Sequence, residues 1–162
     1  REPQTDQMNH LLRPLVDTLL EAWNDGFYLS KTRNYASGRL VRCALVPIIA
    51  DLPAARQLTG ISGHSSDHWC SMCDLSAQDS ENLEPSSWPR HTREEHMSAA
   101  EDWKDSTTAE EREEHWKKDH VRWSELLRLP YWDPTKFITV DSMHGFYLGL
   151  FQRHIRDIWG MD

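Results

Sequence analysis

The sequence predicts an α/β protein with a mainly α-helical, charged insertion, and three observations lead to this prediction. Apolar residues recur every three or four positions from Thr5 to Trp23, an apolar run without polar alternation occupies residues 39–50, and residues 77–121 are rich in charge. The first pattern is typical of an amphipathic helix and the second of a strand buried on both faces. The third favours solvated helices outside the sheet.

The first helix and a short second helix carry the expected boundary signals. Asn24-Asp25-Gly26 gives the first helix a stop, because glycine accepts the left-handed backbone that ends helices. Asp51 closes the apolar run, and a short helical stretch follows with Pro53 in its first turn and Gly60 after its end. The predicted unit is therefore helix, strand, Asp51 and short helix.

Two further helices and a return to apolar sequence are predicted beyond a loop rich in Gly, Ser and His. Thr92 to Trp103 and Thr108 to Leu127 both begin with residues that cap helices. Phe137 to Val140 is a short strand-like run, and the apolar residues after His144 keep a helical spacing. We divide the chain into a core segment, the helical insertion and a return segment, at residues 1–76, 77–128 and 129–162.

Charge and cysteine content narrow the classes of function. With 18 Lys and Arg against 26 Asp and Glu, the net charge of -8 gives no broad electrostatic surface for DNA, so DNA binding would need further parts of a larger protein. Three cysteines, two of them in one C-x-x-C, suit a reducing compartment rather than a secreted disulfide framework. The apolar runs are too short to span a bilayer, and no signal segment opens the chain. We expect a fragment of an intracellular protein.

Asp51 is the first residue along the chain whose sequence context suggests a catalytic or ligand-binding role. It stands at the carboxyl end of the predicted strand, where ligand and catalytic groups of α/β proteins collect because side chains there leave the core. An Asp before Leu-Pro-Ala is also an ordinary helix cap. The two roles are compatible, and the local sequence leaves both open.

Cys70 and Cys73 form a C-x-x-C pair with the half-site spacing of structural zinc, in which thiolates take two of four tetrahedral positions. A redox pair and two packed cysteines are the alternatives. Because the chain has no second C-x-x-C, the other zinc ligands would be histidine or carboxylate, and the local candidates are His64, His68 and His144. The sequence does not choose among them.

The histidines after Cys73 lie in three settings. Asp141 and His144 join a carboxylate and an imidazole where a strand-like run meets a helix, which suits the orientation of a metal ligand or a helix cap before a buried histidine. His154 is assigned to a helix face. The histidines of the charged stretch are predicted to lie on solvated helix faces; they are His91, His96, His115 and His120.

Several motifs follow one another along the chain, and their order is more specific than any one of them. They are Asp51-Leu52-Pro53-Ala54-Ala55-Arg56, Gly63-His64-Ser65, Cys70-Ser71-Met72-Cys73, the stretch Trp123–Pro134, and Asp141-Ser142-Met143-His144. This order resembles that of the CACTA (En/Spm-like) DNA transposases, with the closest likeness to copies from mushroom-type fungal genomes. The resemblance covers nearly the whole chain.

The resemblance implies an RNase H-like core with three acidic residues, Asp, Asp and Glu, that bind two divalent ions, Mg²⁺ or Mn²⁺, for DNA strand cleavage and transfer. Asp51 resembles the second acidic residue, and the first Asp and the final Glu are expected outside residues 1–162. This piece is then a partial RNase H-like core that is inactive alone. The intact enzyme would act on transposon ends in the nucleus, as a homo-oligomer.

The resemblance also implies a structural zinc ion. A related immune-receptor recombinase carries a C-x-x-C at a similar distance after its second catalytic Asp; here Cys70 lies 19 residues after Asp51. Two histidines from much later in that chain complete its zinc site, so His144, and then His64, become the expected partners of Cys70 and Cys73. The competing hypothesis is a non-catalytic, zinc-stabilised interaction module from a decayed or domesticated transposon.

Overall fold

The computed structural model describes residues 5–63, 66–68 and 70–161. Its helices are α1 (Thr5–Asn24), α2 (Leu52–Thr59), α3 (Arg93–Asp105) and α4 (Ala109–Asp119). Its strands are β1 (Phe27–Leu29), β2 (Arg39–Val41), β3 (Ile48–Ala50) and β4 (Ile138–Val140). Short 3₁₀ turns occupy Ala77–Asp79, Pro85–Ser87 and Glu125–Arg128, and a C-terminal π-helical segment covers Met143–Phe151 and His154–Ile158.

The hydrophobic core lies between one face of α1 and the segment 123–132. Val16 and Trp132 are fully buried, whereas Leu11 on the other face of α1 is 63% exposed. The other buried members of the core are Leu12, Ala100, Trp123, Leu126, Leu127 and Leu129. The amphipathic helix predicted for residues 5–23 is thus confirmed, and its partner is a late segment of the chain.

A polar network fixes α1 against the 3₁₀ turn at residues 125–128. The Asn9 amide donates from Nδ2 to the Trp123 carbonyl at 2.9 Å and accepts the Glu125 N–H at 2.9 Å. The buried Glu125 carboxylate also accepts from Arg13 at 3.1 Å and from Arg128 at 2.9 Å. Burial alone would raise the pKa of Glu125, but hydrogen bonds from both guanidinium groups outweigh it and lower that pKa.

The strands form two separate pairs. β1 and β2 are antiparallel and exposed, with Phe27 opposite Val41. β3 and β4 are parallel, with Ile48 opposite Ile138 and Ala50 opposite Val140. A parallel pair needs a long crossover, and here the crossover contains α2 and the whole α3–α4 insertion.

The single buried strand predicted for residues 39–50 is wrong. The stretch is divided into β2 and β3, and Ile49 is 64% exposed. Between them, the Cys43 N–H donates to the Ala22 carbonyl and the Leu45 N–H donates to the Tyr131 hydroxyl. These donors are therefore unavailable for a strand ladder, and Pro47 has no N–H to contribute.

The short helix α2 has the predicted boundaries. The Asp51 side chain accepts the Ala54 N–H at 2.8 Å and so caps the first turn. Gly60 ends the helix with φ 78°, and a Cβ at this position would lie 2.2 Å from the Arg122 carbonyl oxygen. Glycine is required there for both reasons.

The insertion contains two helices that begin as predicted. Thr92 and Thr108 each close a capping box with a glutamate three residues later, Glu95 and Glu111. α4 ends earlier than the predicted Leu127, because His120 adopts a left-handed conformation (φ 56°) and the chain then runs extended.

The C-terminal segment is helical as predicted, with π-helical winding. Many of its apolar side chains expose at least half of their surface to solvent. Examples are Phe146, Tyr147, Leu150 and Ile158. Within the described residues, no helix combines the length and the apolar character needed to cross a membrane. The RNase H-like core and the three segment boundaries stay predictions.

Replacing Glu125 with Gln should lower the free energy of unfolding by about 1–3 kcal/mol, because the amide NH₂ would face one of the two guanidinium groups. The matched control is Glu113→Gln, which breaks an exposed pair with Lys117 (3.4 Å) and should cost less than about 1 kcal/mol. Urea unfolding measures both. Because the Glu125 pKa is lowered in the folded state, the difference should shrink as the pH falls below its ordinary value of 4.5. Equal costs for the two variants would contradict this role.

Candidate functional site

Two carboxylates lie at the same edge of the parallel pair. Asp51 directly follows β3 and Asp141 directly follows β4. The Asp141 N–H donates to the Ala50 carbonyl at 3.1 Å, which extends the ladder by one step and places the two aspartates next to each other. The carboxyl ends of parallel strands are where side chains of α/β proteins reach ligands.

Asp51 is the N-cap of α2. Its Oδ1 accepts the Ala54 N–H at 2.8 Å, and its carbonyl accepts the Ala55 N–H at 2.9 Å. The capping role proposed from the sequence is confirmed. One carboxylate oxygen suffices for it, so the cap also orients the second oxygen for other contacts.

Asp141 is held by its own helix start. Its Oδ2 contacts His144 Nδ1 at 2.5 Å, and its Oδ1 accepts the Met143 N–H at 3.1 Å. The hydrogen bond from His144, and then the one from the Met143 amide, lowers the pKa of Asp141. The carboxylate is therefore charged at neutral pH. The structure thus joins His144 to the carboxylate edge, and no contact between His144 and the cysteine pair is found among the described residues.

The cysteine pair lies in a separate loop. Both thiols are free; Cys73 is buried and Cys70 is half-buried. The Cys73 sulfur accepts a hydrogen bond from Arg90 Nη1 at 3.3 Å. Burial, and then the adjacent Cys70 thiol, raises the pKa of Cys73, although Arg90 opposes the change. The two sulfurs are near neighbours, as a metal half-site requires.

A cavity of about 320 Å³ lies beside this loop, between it and α3 and α4. Its lining is rich in groups that bind metals: His68, Cys70, Asp74, His91, His96 and His120. His96 is only 7% exposed, so the prediction of a solvated face is wrong for this residue. Its spacing from Ala100, four residues later and fully buried, is the signal that marks the inner face of α3.

Two cavity histidines are already engaged. His68 Nδ1 contacts Asp74 Oδ1 at 3.1 Å, and the His68 ring stacks on His120 with centroids 5.0 Å apart. His120 Nδ1 lies 3.3 Å from Ser66 Oγ. Burial, and then the neighbouring His68, lowers the pKa of His120.

His96 differs from these two, because its Nε2 is buried and has no hydrogen-bond partner among the described residues. Burial lowers its pKa to about 4, so the ring is neutral at physiological pH. A neutral imidazole is the form that binds metal ions.

The described residues do not contain a preformed metal centre: no group of three or more His, Cys, Asp or Glu side chains among them has the spacing to hold an ion. The predicted ligand His64 lies outside the described residues. The candidate site therefore has two parts. One is a carboxylate edge (Asp51 and Asp141), and the other is a cysteine–histidine cavity lined by Cys70 and His96, with Cys73 in the adjoining loop.

These features define a protein with two small sheets among its helices, in which paired carboxylates lie at the ends of two parallel strands and α3 and α4 lie in the crossover between those strands. A family model described as Plavaka transposase matches residues 4–158, and the chain belongs to that family. Membership confirms the predicted relation to transposases and implies DNA as a partner in general. No curated protein matches the chain significantly.

The stability of the metal-free protein should depend on pH through His96. Its pKa is lower in the folded state than the ordinary 6.5, so folding favours the neutral ring. The free energy of unfolding is therefore not reduced by His96 protonation above pH 6.5. As the pH falls from 6.5 to 4, up to about 3 kcal/mol should be lost.

Unfolding with urea in the presence of a chelator measures this loss between pH 7 and pH 4. The His96→Gln variant, which cannot titrate, should lose correspondingly less over the same range. Identical pH profiles for the variant and the wild type would contradict the assignment.

Proposed function

We propose that this chain is part of the catalytic core of a CACTA-type DNA transposase, in which Asp51 binds a divalent cation during DNA strand cleavage and transfer. The observation that carries the proposal is the parallel pairing of β3 with β4, which brings Asp51 and Asp141 to one sheet edge. Membership of the Plavaka transposase family is the independent support.

The donor chemistry at this edge suits Mg²⁺ or Mn²⁺, which prefer carboxylate oxygens. When bound, such an ion supplies charge stabilisation for the oxygens of a reacting phosphate. The Asp51 carboxylate lies at the sheet edge, with the α2 cap fixing its orientation. Asp141 adds a second negative charge, and His144 restricts its rotation through the Nδ1–Oδ2 hydrogen bond. Both aspartates are held by local hydrogen bonds, which keeps the two charges in place before a cation arrives.

The remaining parts of the proposal follow from the family resemblance. Asp51 takes the second acidic position of an RNase H-like Asp-Asp-Glu site. The intact protein would act in the nucleus as a homo-oligomer, and a mushroom-type fungus is the proposed source. With a net charge of -8, this part of the protein needs cations or other basic segments to approach DNA.

A structural zinc ion at Cys70 and Cys73 belongs to the same proposal. Its support is the pair of adjacent free thiols beside a cavity lined with histidines. His144 and His64 are the partners suggested by the resemblance; His144 instead contacts Asp141 in this structure. Zinc would join the loop to its surroundings and contribute folding energy.

The second hypothesis is a non-catalytic interaction module. The exposed apolar residues of the C-terminal segment favour it, because exposed apolar residues this numerous within one short segment are typical of protein contacts. In that case Asp51 is only a helix cap. The strand-cleavage experiment below separates the two functions.

In the full-length enzyme, Asp51→Asn should abolish Mg²⁺- or Mn²⁺-dependent cleavage of transposon-end DNA while folding and DNA binding persist. Asparagine keeps the shape and the capping ability of Asp51 but lacks the charge that holds a cation. The matched control is Asp105→Asn at the end of α3, which should cleave normally.

Cleavage by the Asp51→Asn variant at the wild-type rate would leave Asp51 as a helix cap alone. Asp51→Ala then serves as a separate measure of the cap, with an expected loss of about 1 kcal/mol in stability.

The double substitution Cys70→Ser, Cys73→Ser should remove zinc from the purified protein and lower its melting temperature, because a structural zinc ion contributes folding energy. Cys43→Ser is the matched control, since Cys43 is an exposed free thiol away from the cavity lining. Elemental analysis and thermal unfolding measure the two effects. Unchanged zinc content in the double variant would contradict the proposed site.

A further inference from the structure

We propose that His96 is the histidine that joins Cys70 and Cys73 in binding zinc. The inference rests on the zinc ion of the proposed function and names a ligand within the insertion. The observation that carries it is a buried imidazole whose Nε2 has no hydrogen-bond partner within the described part of the chain, in the wall of the same cavity that Cys70 lines. Zinc would then tie the cysteine loop directly to α3.

The His96 side chain is an exception to the usual pairing of buried polar groups. It is 7% exposed, and Nε2 has no hydrogen-bond partner among the described residues. A buried polar atom without a partner costs stability, so such an atom in a native fold calls for a water or an ion as its partner. The adjacent thiols make a zinc ion the better match, because thiolate and imidazole are its preferred ligands.

The backbone holds His96 close to the cysteine loop. Cys73 and Arg90 form an antiparallel bridge, the Asp74 N–H donates to the Pro89 carbonyl at 2.9 Å, and the His91 N–H donates to the Met72 carbonyl at 3.1 Å. Residues 89–91 therefore run alongside residues 72–74. α3 begins two residues later, and His96 lies in its first turns, where its N–H donates to the Thr92 carbonyl.

Three other histidines already have a side-chain partner at Nδ1, which leaves only Nε2 of each ring for a metal ion. His68 is bound by Asp74, and His120 by Ser66. His144 is bound by Asp141 at the carboxylate edge. His96 is the one among these four whose Nε2 is both buried and unpartnered.

Zinc binding requires some movement of side chains. Zinc–sulfur and zinc–nitrogen bonds are about 2.3 Å and 2.0–2.1 Å long, and no three ligand groups among the described residues have this spacing. The cavity of about 320 Å³ gives the Cys70 and His96 side chains room to turn toward each other. The fourth position is open to a further histidine or to water.

The test is zinc and cobalt binding by the wild-type protein, His96→Gln and the matched control His120→Gln, whose imidazole lines the same cavity. Zinc affinity is measured by competition with a chromophoric chelator, and Co²⁺ reports the ligand set by absorption. His96→Gln should lose more than about 100-fold in zinc affinity, beyond the 10–100-fold typical of supporting residues. Its Co²⁺ spectrum should keep the thiolate charge-transfer band and change in the d–d region.

His120→Gln should retain the wild-type affinity and spectrum. A wild-type affinity and Co²⁺ spectrum for His96→Gln would overturn the inference while the cysteine site stands. If His96→Gln and the double cysteine variant both keep their zinc, the zinc proposal is overturned as well. DNA cleavage is measured separately, so failure of the transposase proposal is distinguishable from both.

A measurement on the wild-type protein covers the case in which His96→Gln does not fold. Zinc added to ¹⁵N-histidine-labelled protein should shift the His96 Nε2 resonance to a metal-bound position. X-ray absorption at the zinc edge should show two sulfur ligands and at least one imidazole. An unmoved His96 resonance at full zinc occupancy would overturn the assignment.

Discussion

The parallel pairing of β3 with β4 is the contact on which the arrangement of the candidate site depends. It joins residues 48–50 to residues 138–140, and the hydrogen bonds from Ile48 to Phe137 and from Asp141 to Ala50 extend it at both ends. Such a distant pairing must offset a large loss of chain entropy. The core between α1 and residues 123–132 provides that stabilisation, because it holds the end of the crossover close to α1.

The insertion is charged, but it is connected to the rest of the fold through its inner face. Ala100 is fully buried in the core, and Lys104 Nζ lies 3.9 Å from the ring centroid of Trp123. Arg122 stacks on Trp116 at 3.8 Å, which fixes the end of α4 against the extended chain that follows. Trp116 and Trp123 lie in or next to a highly polar stretch of the sequence, and their rings contact cationic side chains. The proposed zinc ligand His96 lies on the same inner face as Ala100.

The two parts of the candidate site depend on different features of the fold. The carboxylate edge depends on register, since a shift of one residue in the parallel pair would separate Asp51 from Asp141. The cysteine–histidine cavity depends on the docking of α3 against the cysteine loop, which the backbone contacts of residues 89–91 maintain. Zinc at the cavity would therefore support the insertion without touching the carboxylate edge. This separation would allow the proposed structural ion and the proposed catalytic ion to bind independently, because thiolates and carboxylates select different metals.

Local sequence signals were sufficient to predict those elements whose boundaries depend on only a few neighbouring residues. The helical period of α1, the Asp51 cap, the Gly60 stop and the threonine caps of α3 and α4 were all readable from the sequence, because each depends on nearby backbone geometry. The order of motifs also indicated a transposase, which the family match confirms. The folded structure was needed to show that residues 39–50 form two strands, that Asp141 adjoins Asp51, and that His96 is buried beside the cysteine loop. These features depend on contacts between residues far apart in the chain, and local periodicity carries no information on which distant donor occupies a backbone N–H or which helix face meets the core.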